Sequence, residues 1–207
     1  MTNSFRPTAD QLELDPQILE NSPLLQRWTE EIPNVLSEIR NDPSFRTRIR
    51  VGYSSFPSSN EAGIYLGIED IFVPKSHLTL SADYQAAFNE PRESYGSELR
   101  YYALPLGSSV NVAPVIGYRS LESEHYSVDG VNLGLRIQLQ LSRTGAADIA
   151  LTQSWLNPAS KTEEVGLTTL TFGYALTHNL RLSTDLQRQN ALQHKGSRVS
   201  IGLDWML

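Results

Sequence analysis

Arginine and carboxylate side chains on every second position are the chemistry that this sequence offers. Arg46, Arg48 and Arg50 alternate with Phe45, Thr47 and Ile49, as one face of an extended strand requires. The same period puts Arg100, Arg119, Arg136, Arg181 and Arg198 on the polar face of their segments. It puts Glu69, Asp83, Glu98, Asp148, Asp185 and Asp204 there too. Guanidinium and carboxylate groups on one enclosed face can do two things. They can neutralise one another as buried pairs, or they can set the sign of the ion that passes a constriction. Arg50, Arg100, Arg119 and Arg136 are the filter candidates for small anions. Arg46 and Arg48 stand near one end of their segment, and Glu69 and Asp204 near the same end of theirs. These four are expected to form an arginine–carboxylate cluster at one mouth.

Covalent chemistry has less support. The chain has no cysteine, so it has no thiol nucleophile, thiolate metal site or disulfide. No HExxH, P-loop, GxGxxG or nucleophile-elbow pattern occurs. The histidines are His77, His125, His178 and His194, and only His77 could face inward. Glu122, Glu124 and His125 could act as an acid–base group or weak metal site, but a solvated loop accounts for them without chemistry. No cofactor or metal is expected.

The elements that carry these residues read as strands. Leu78, Leu80, Ala82, Tyr84, Ala86 and Phe88 alternate with polar residues, as do Val131 to Leu141 and Val199 to Leu207. Such segments lie near 45–54, 62–73, 77–88, 94–104, 109–120, 126–142, 147–156, 164–176, 179–190 and 197–207. Each is about 9–12 residues, the length of a tilted strand crossing a bilayer, where soluble strands average about 5–6. One face is nearly free of charge and the other carries the ionic residues. Tyr53, Tyr118, Trp155, Tyr174 and Trp205 stand near strand ends, as aromatic girdles do. The expected fold is all-β, an antiparallel transmembrane barrel of about ten strands with its apolar face in lipid. Longer polar connections are expected at 55–61, 89–93, 121–125, 157–163 and 191–196, with tight turns between them. Ten strands are well below the 16–18 of general porins, so a wide unselective pore is not expected.

Composition shifts near residue 44. Residues 1–44 carry eight acidic residues against Arg6, Arg27 and Arg40, and the remainder is nearly balanced, within a total charge of -6 in 207 residues. That balance argues against nucleic-acid binding. The reading is two regions: a helical extension over 1–44 and a barrel over 45–207. Asp15-Pro16 and Ser22-Pro23 are helix-start signals. Leu25, Trp28, Ile32, Val35 and Ile39 make an apolar helical stripe. It is expected to pack on the barrel, plug it, lie on the membrane surface, or bind a periplasmic partner or a second copy through residues 11–40. The first ten residues lack a secretory signal, which is the pattern of a cytosolic chain or of a mature segment.

The last strand adds a resemblance. Ser200, Gly202, Trp205 and Leu207 resemble the C-terminal signal by which the barrel-assembly machinery recognises Gram-negative outer-membrane β-barrel proteins. A final Leu stands where Phe is commoner. Gly173 to Leu182 resembles a periplasmic hairpin of the same proteins. Asn21 to Trp28, leading into Asp42 to Arg46, resembles uncharacterised cyanobacterial-type envelope proteins. The resemblance covers residues 45–207 and implies outer-membrane lipids and the assembly machinery as partners. The function expected is a narrow, charge-lined, anion-selective channel, or else a closed anchoring barrel whose N-terminal helices bind a periplasmic partner.

Overall fold

The computed structural model describes residues 41–207 apart from 90, 124–125, 143–144, 161–162 and 192–194. The stripe of Leu25, Trp28, Ile32, Val35 and Ile39 lies outside the described residues, as do Glu124, His125 and His194. The barrel unit is Asp42–Leu207.

Ten strands follow in order: β1 Arg48–Phe56, β2 Glu61–Phe72, β3 Leu78–Ala87, β4 Glu93–Tyr101, β5 Val110–Ser123, β6 Tyr126–Gln140, β7 Ala147–Leu156, β8 Val165–Ala175, β9 Leu180–Ala191 and β10 Lys195–Met206. Each pairs antiparallel with its sequence neighbours, and β1 pairs with β10 from Arg48↔Met206 to Ser55↔Val199, so the sheet closes. Closure leaves no strand edge, which is the condition for a sheet to lie in lipid, where an unpaired amide has no water partner.

The period of two is expressed as inside and outside. Ile49, Val51 and Tyr53 are exposed on β1, while Arg48, Arg50 and Ser54 on its other face are buried. On β6, Val131, Leu133, Leu135 and Ile137 are exposed, while Asn132 and Arg136 are buried. In water such a continuous apolar surface would be a large aggregation site. In a bilayer it is the matched solvent. Tyr53, Tyr84, Tyr95, Tyr118 and Trp155 ring one end of the band, and Tyr101, Tyr174 and Trp205 the other, all exposed. The charged outward positions Glu93, Glu122, Asp129, Arg188 and Lys195 lie beyond the band, towards the mouth opposite the termini.

Four expectations change. First, β1 begins at Arg48 and not at residue 45, and Phe45 does not face lipid. It is 5% exposed and packs on Tyr102 and Phe72, with ring centroids 4.7 and 5.3 Å away. Ser44 ties this segment down by donating from its amide to the Leu106 carbonyl at 3.0 Å. Second, the two ends do not differ in connection length. Residues 57–60, 88–92, 124–125, 157–164 and 192–194 connect strands at one end, and 73–77, 102–109, 141–146 and 176–179 at the other. Strand pairing runs further than the polar composition suggests, taking Leu121–Ser123 into β5 and Ala191 into β9. Third, the inner face is not polar throughout. Leu121, Leu156, Val165 and Leu167 form a buried cluster inside the mouth opposite the termini. Fourth, β2 carries a bulge between Ile68 and Ile71, with Asp70 at φ 56°.

The seam explains part of the C-terminal pattern. Gly202 faces Gly52 across β1–β10, and a methyl group on Gly52 would lie 2.7 Å from the Ile201 carbonyl oxygen. Only glycine permits that approach. Ser200 faces inward and its hydroxyl meets that of Ser54 at 2.7 Å, while Trp205 faces outward. Leu207 is exposed, and its amide donates to the Thr47 carbonyl at 2.9 Å.

Candidate functional site: the charged lumen

The bulge in β2 is where the site begins. Strict alternation would place one of the adjacent acids Glu69 and Asp70 in lipid. The extra residue turns both inward, at 7% and 0% exposure. Asp is one of the few residues that tolerates the left-handed backbone this needs. Its amide donates to the Ser81 hydroxyl at 3.0 Å. Its carboxylate accepts from Thr79 at 3.1 Å, from the Tyr102 hydroxyl at 2.9 Å and from Arg100 at 3.1 Å.

From there the ion pairs run across the barrel without a break. Arg100 of β4 meets Glu98 and, at 3.1 Å, Asp70. Arg48 of β1 meets Asp70 at 3.5 Å and Glu69 at 2.9 Å. Arg50 is the hub: it reaches Glu69 at 3.1 Å, Asp185 of β9 at 2.9 Å and Asp204 of β10 at 3.1 Å. Arg181 of β9 then joins Asp204 to Asp148 of β7, the latter at 2.7 Å. Arg181 lies flat against β8 because residue 173 is glycine. A methyl group there would fall 1.7 Å from Arg181 Nη2. Each Arg and carboxylate of this layer is nine-tenths buried or more. Charges held so deeply stand only because each carboxylate has a cation against it.

A second group lies farther from the termini. Arg119 clasps Asp83 with two bonds of 2.5 and 2.9 Å. Arg198 donates to Gln85 and lies over the Tyr65 ring, 5.3 Å from its centroid. Arg136 donates to the Thr152 hydroxyl at 3.2 Å. Between the two groups is a cavity of about 60 Å³, bounded by Arg50, Glu69 and Arg100 below and by Arg119, Arg136 and Arg198 around it. On the terminal side a larger pocket of about 700 Å³ is lined by Phe45, Arg48, Asp148, His178 and Arg181.

The predicted lumen residues Arg48, Arg50, Glu69, Asp83, Glu98, Arg100, Arg119, Arg136, Asp185, Arg198 and Asp204 all point inward, as do Arg181 and Asp148. Arg46 does not join them. It precedes β1 and meets His178 in the β8–β9 turn, Nη2 to Nε2 at 3.0 Å. The mouth cluster expected from Arg46, Arg48, Glu69 and Asp204 is therefore a layer deeper inside, built on Arg48, Arg50 and Arg181. Of the four filter candidates, Arg50, Arg100 and Arg119 form ion pairs with carboxylates, and Arg136 has no described carboxylate within 4 Å. Sequence reasoning missed Asp70, Tyr65, Tyr102 and Gln85. Asp70 carried a signal, since two adjacent charges in a lipid-spanning strand demand a bulge. Glu122 is exposed, and His77 faces the Tyr102 carbonyl with Nδ1 at 3.1 Å. Among the described residues no three His, Asp or Glu side chains are grouped to hold a metal ion.

No protein-family model and no curated protein matches the chain in sequence. Solved structures match it in shape. It is similar to KdgM porin at 10% identity and a TM-score of 0.46, covering 77% of this chain and 99% of that one. It is similar to outer membrane phospholipase A from Escherichia coli at 13% identity and a TM-score of 0.38, covering 78% and 96%. It is similar to Omp33 from Acinetobacter baumannii at 9% identity and a TM-score of 0.37, covering 79% and 98%. These likenesses are of fold alone. Closed topology, apolar exterior and ionic interior give this chain the architecture of an outer-membrane β-barrel.

Proposed function

We propose that the barrel is a narrow outer-membrane channel for small anions, shut in the described state by the ionic layer centred on Arg50. The observation that carries this reading is the pair of inward arginines that have no ion-pair partner among the described residues. Every inward carboxylate among the described residues has an arginine within 4 Å, whereas Arg136 and Arg198 have no described carboxylate that close. Those two guanidinium groups face the lumen cavity without an ion-pair partner and would attract anions there. The barrier is made of side chains alone. No strand or loop crosses the layer among the described residues, so rearranged ion pairs would connect the two ends. Both chain ends of an even-stranded barrel face the periplasm, which puts the 700 Å³ pocket on that side. Ser200, Gly202, Trp205 and Leu207 would be read by the assembly machinery during insertion.

The test is single-channel recording of the full chain in planar bilayers under a potassium chloride gradient. Discrete steps with a reversal potential on the chloride side are expected. Silence from protein shown to be folded in the same bilayers would overturn the channel. One observation favours a second reading, a closed anchor: the ion-pair layer is continuous from β4 to β7. In that reading residues 11–40 bind a periplasmic partner or a second copy, and deleting them abolishes the association while recordings stay silent.

A further inference from the structure

We infer that the cavity between the two charged groups is a binding site for one small inorganic anion, held by Arg136 and Arg198, whether or not the barrel conducts. Arg136 is 3% exposed and Arg198 is 6% exposed. Arg136 spends only Nη1, on Thr152, and its Nε and Nη2 have no hydrogen-bond partner. Those two N–H groups share one edge of the guanidinium, the fork that binds an anion with two parallel bonds. Arg198 spends Nη1 on Gln85, and its Nε is also without a partner. Both side chains line the same cavity.

The acids on that wall do not answer these donors. Glu69, Asp83, Glu98 and Asp185 line the cavity, but Arg50, Arg100 and Arg119 already engage them. On the cavity wall Nε and Nη2 of Arg136 and Nε of Arg198 are therefore the donors left for a guest. Each unmade hydrogen bond of a buried charged donor is costly. A single monovalent anion that accepts from both guanidinium groups removes that cost. The volume of about 60 Å³ selects its size. It admits a halide with a few waters, each of which needs about 10–15 Å³ of such space. A sugar acid or another large organic anion does not fit.

The probe is chloride, with gluconate as the anion too large to enter. Chloride-35 line broadening is measured on the full chain folded in detergent micelles, at constant ionic strength, titrating chloride against gluconate. A saturable broadening is expected. Arg136→Gln with Arg198→Gln should weaken the fitted affinity at least tenfold, and Arg188→Gln, on the outer face, should leave it unchanged. Each sample is first shown to be folded by its resistance to unfolding in the same detergent. Should the double variant not fold, Arg136→Lys keeps the charge, loses the fork and should still weaken binding several-fold. Broadening that never saturates, or that survives in the double variant, overturns the site. A silent barrel that binds chloride removes the channel and keeps the site. A conducting barrel with no saturable chloride signal does the reverse.

Discussion

Replacing Arg50 with serine should strongly destabilise the barrel. Arg50 is 3% exposed and holds three carboxylates. Two have other cations: Glu69 keeps Arg48 at 2.9 Å and Asp204 keeps Arg181. Asp185 keeps only the Thr171 hydroxyl, at 2.8 Å. The variant thus leaves one buried carboxylate with no cation, a loss of about 3–5 kcal/mol. An exposed pair would be worth about 0–1 kcal/mol, so the magnitude separates a buried hub from a solvated lumen. The assay is the guanidinium midpoint of the folded barrel in detergent, followed by tryptophan fluorescence. Arg50→Ser with Asp185→Ser removes the orphaned charge along with its partner and should be more stable than Arg50→Ser alone. The arrangement described is refuted if Arg50→Ser lies within about 0.5 kcal/mol of the parent, the scatter of ordinary surface substitutions, or if the second change adds to the loss.

Other variants probe the parts separately. Gly173→Ala puts a methyl group where Arg181 lies and should cost about 1–3 kcal/mol. Gly166→Ala meets nothing nearer than 3.8 Å and should be near neutral on the same denaturant curve. Leu135→Arg, at the centre of the outward face of β6, should cost about 2–4 kcal/mol in lipid, read as the loss of folded fraction in vesicles. Phe45→Ala empties the contact with Tyr102 and Phe72 and should cost about 3 kcal/mol, with Phe45→Leu far milder in thermal unfolding.

Strand positions were legible because the period of two survives on both faces. Leu133, Leu135 and Ile137 against Asn132 and Arg136 can be read without coordinates. Inward direction was legible for the same reason. Partners were not. Strand tilt decides that Arg50 reaches Asp185 two strands away, and tilt leaves no mark on the chain. Nor could alternation place Asp70, since a bulge shifts it by one residue. Phe45 was misassigned because the strand period continues through it although the backbone has left the sheet. Loop composition misled at Leu121–Ser123, where polar residues still pair.

The central claim is that, among the described residues, side chains alone separate the two ends of a lumen in which Arg136 and Arg198 have no ion-pair partner. It is tested most directly by current through Arg50→Ser/Asp185→Ser, which opens the layer and leaves no orphaned charge there. Larger single-channel steps than the parent, with a reversal potential on the chloride side, are the predicted result. A folded variant with no added conductance, or with a reversal potential on the cation side, would contradict it.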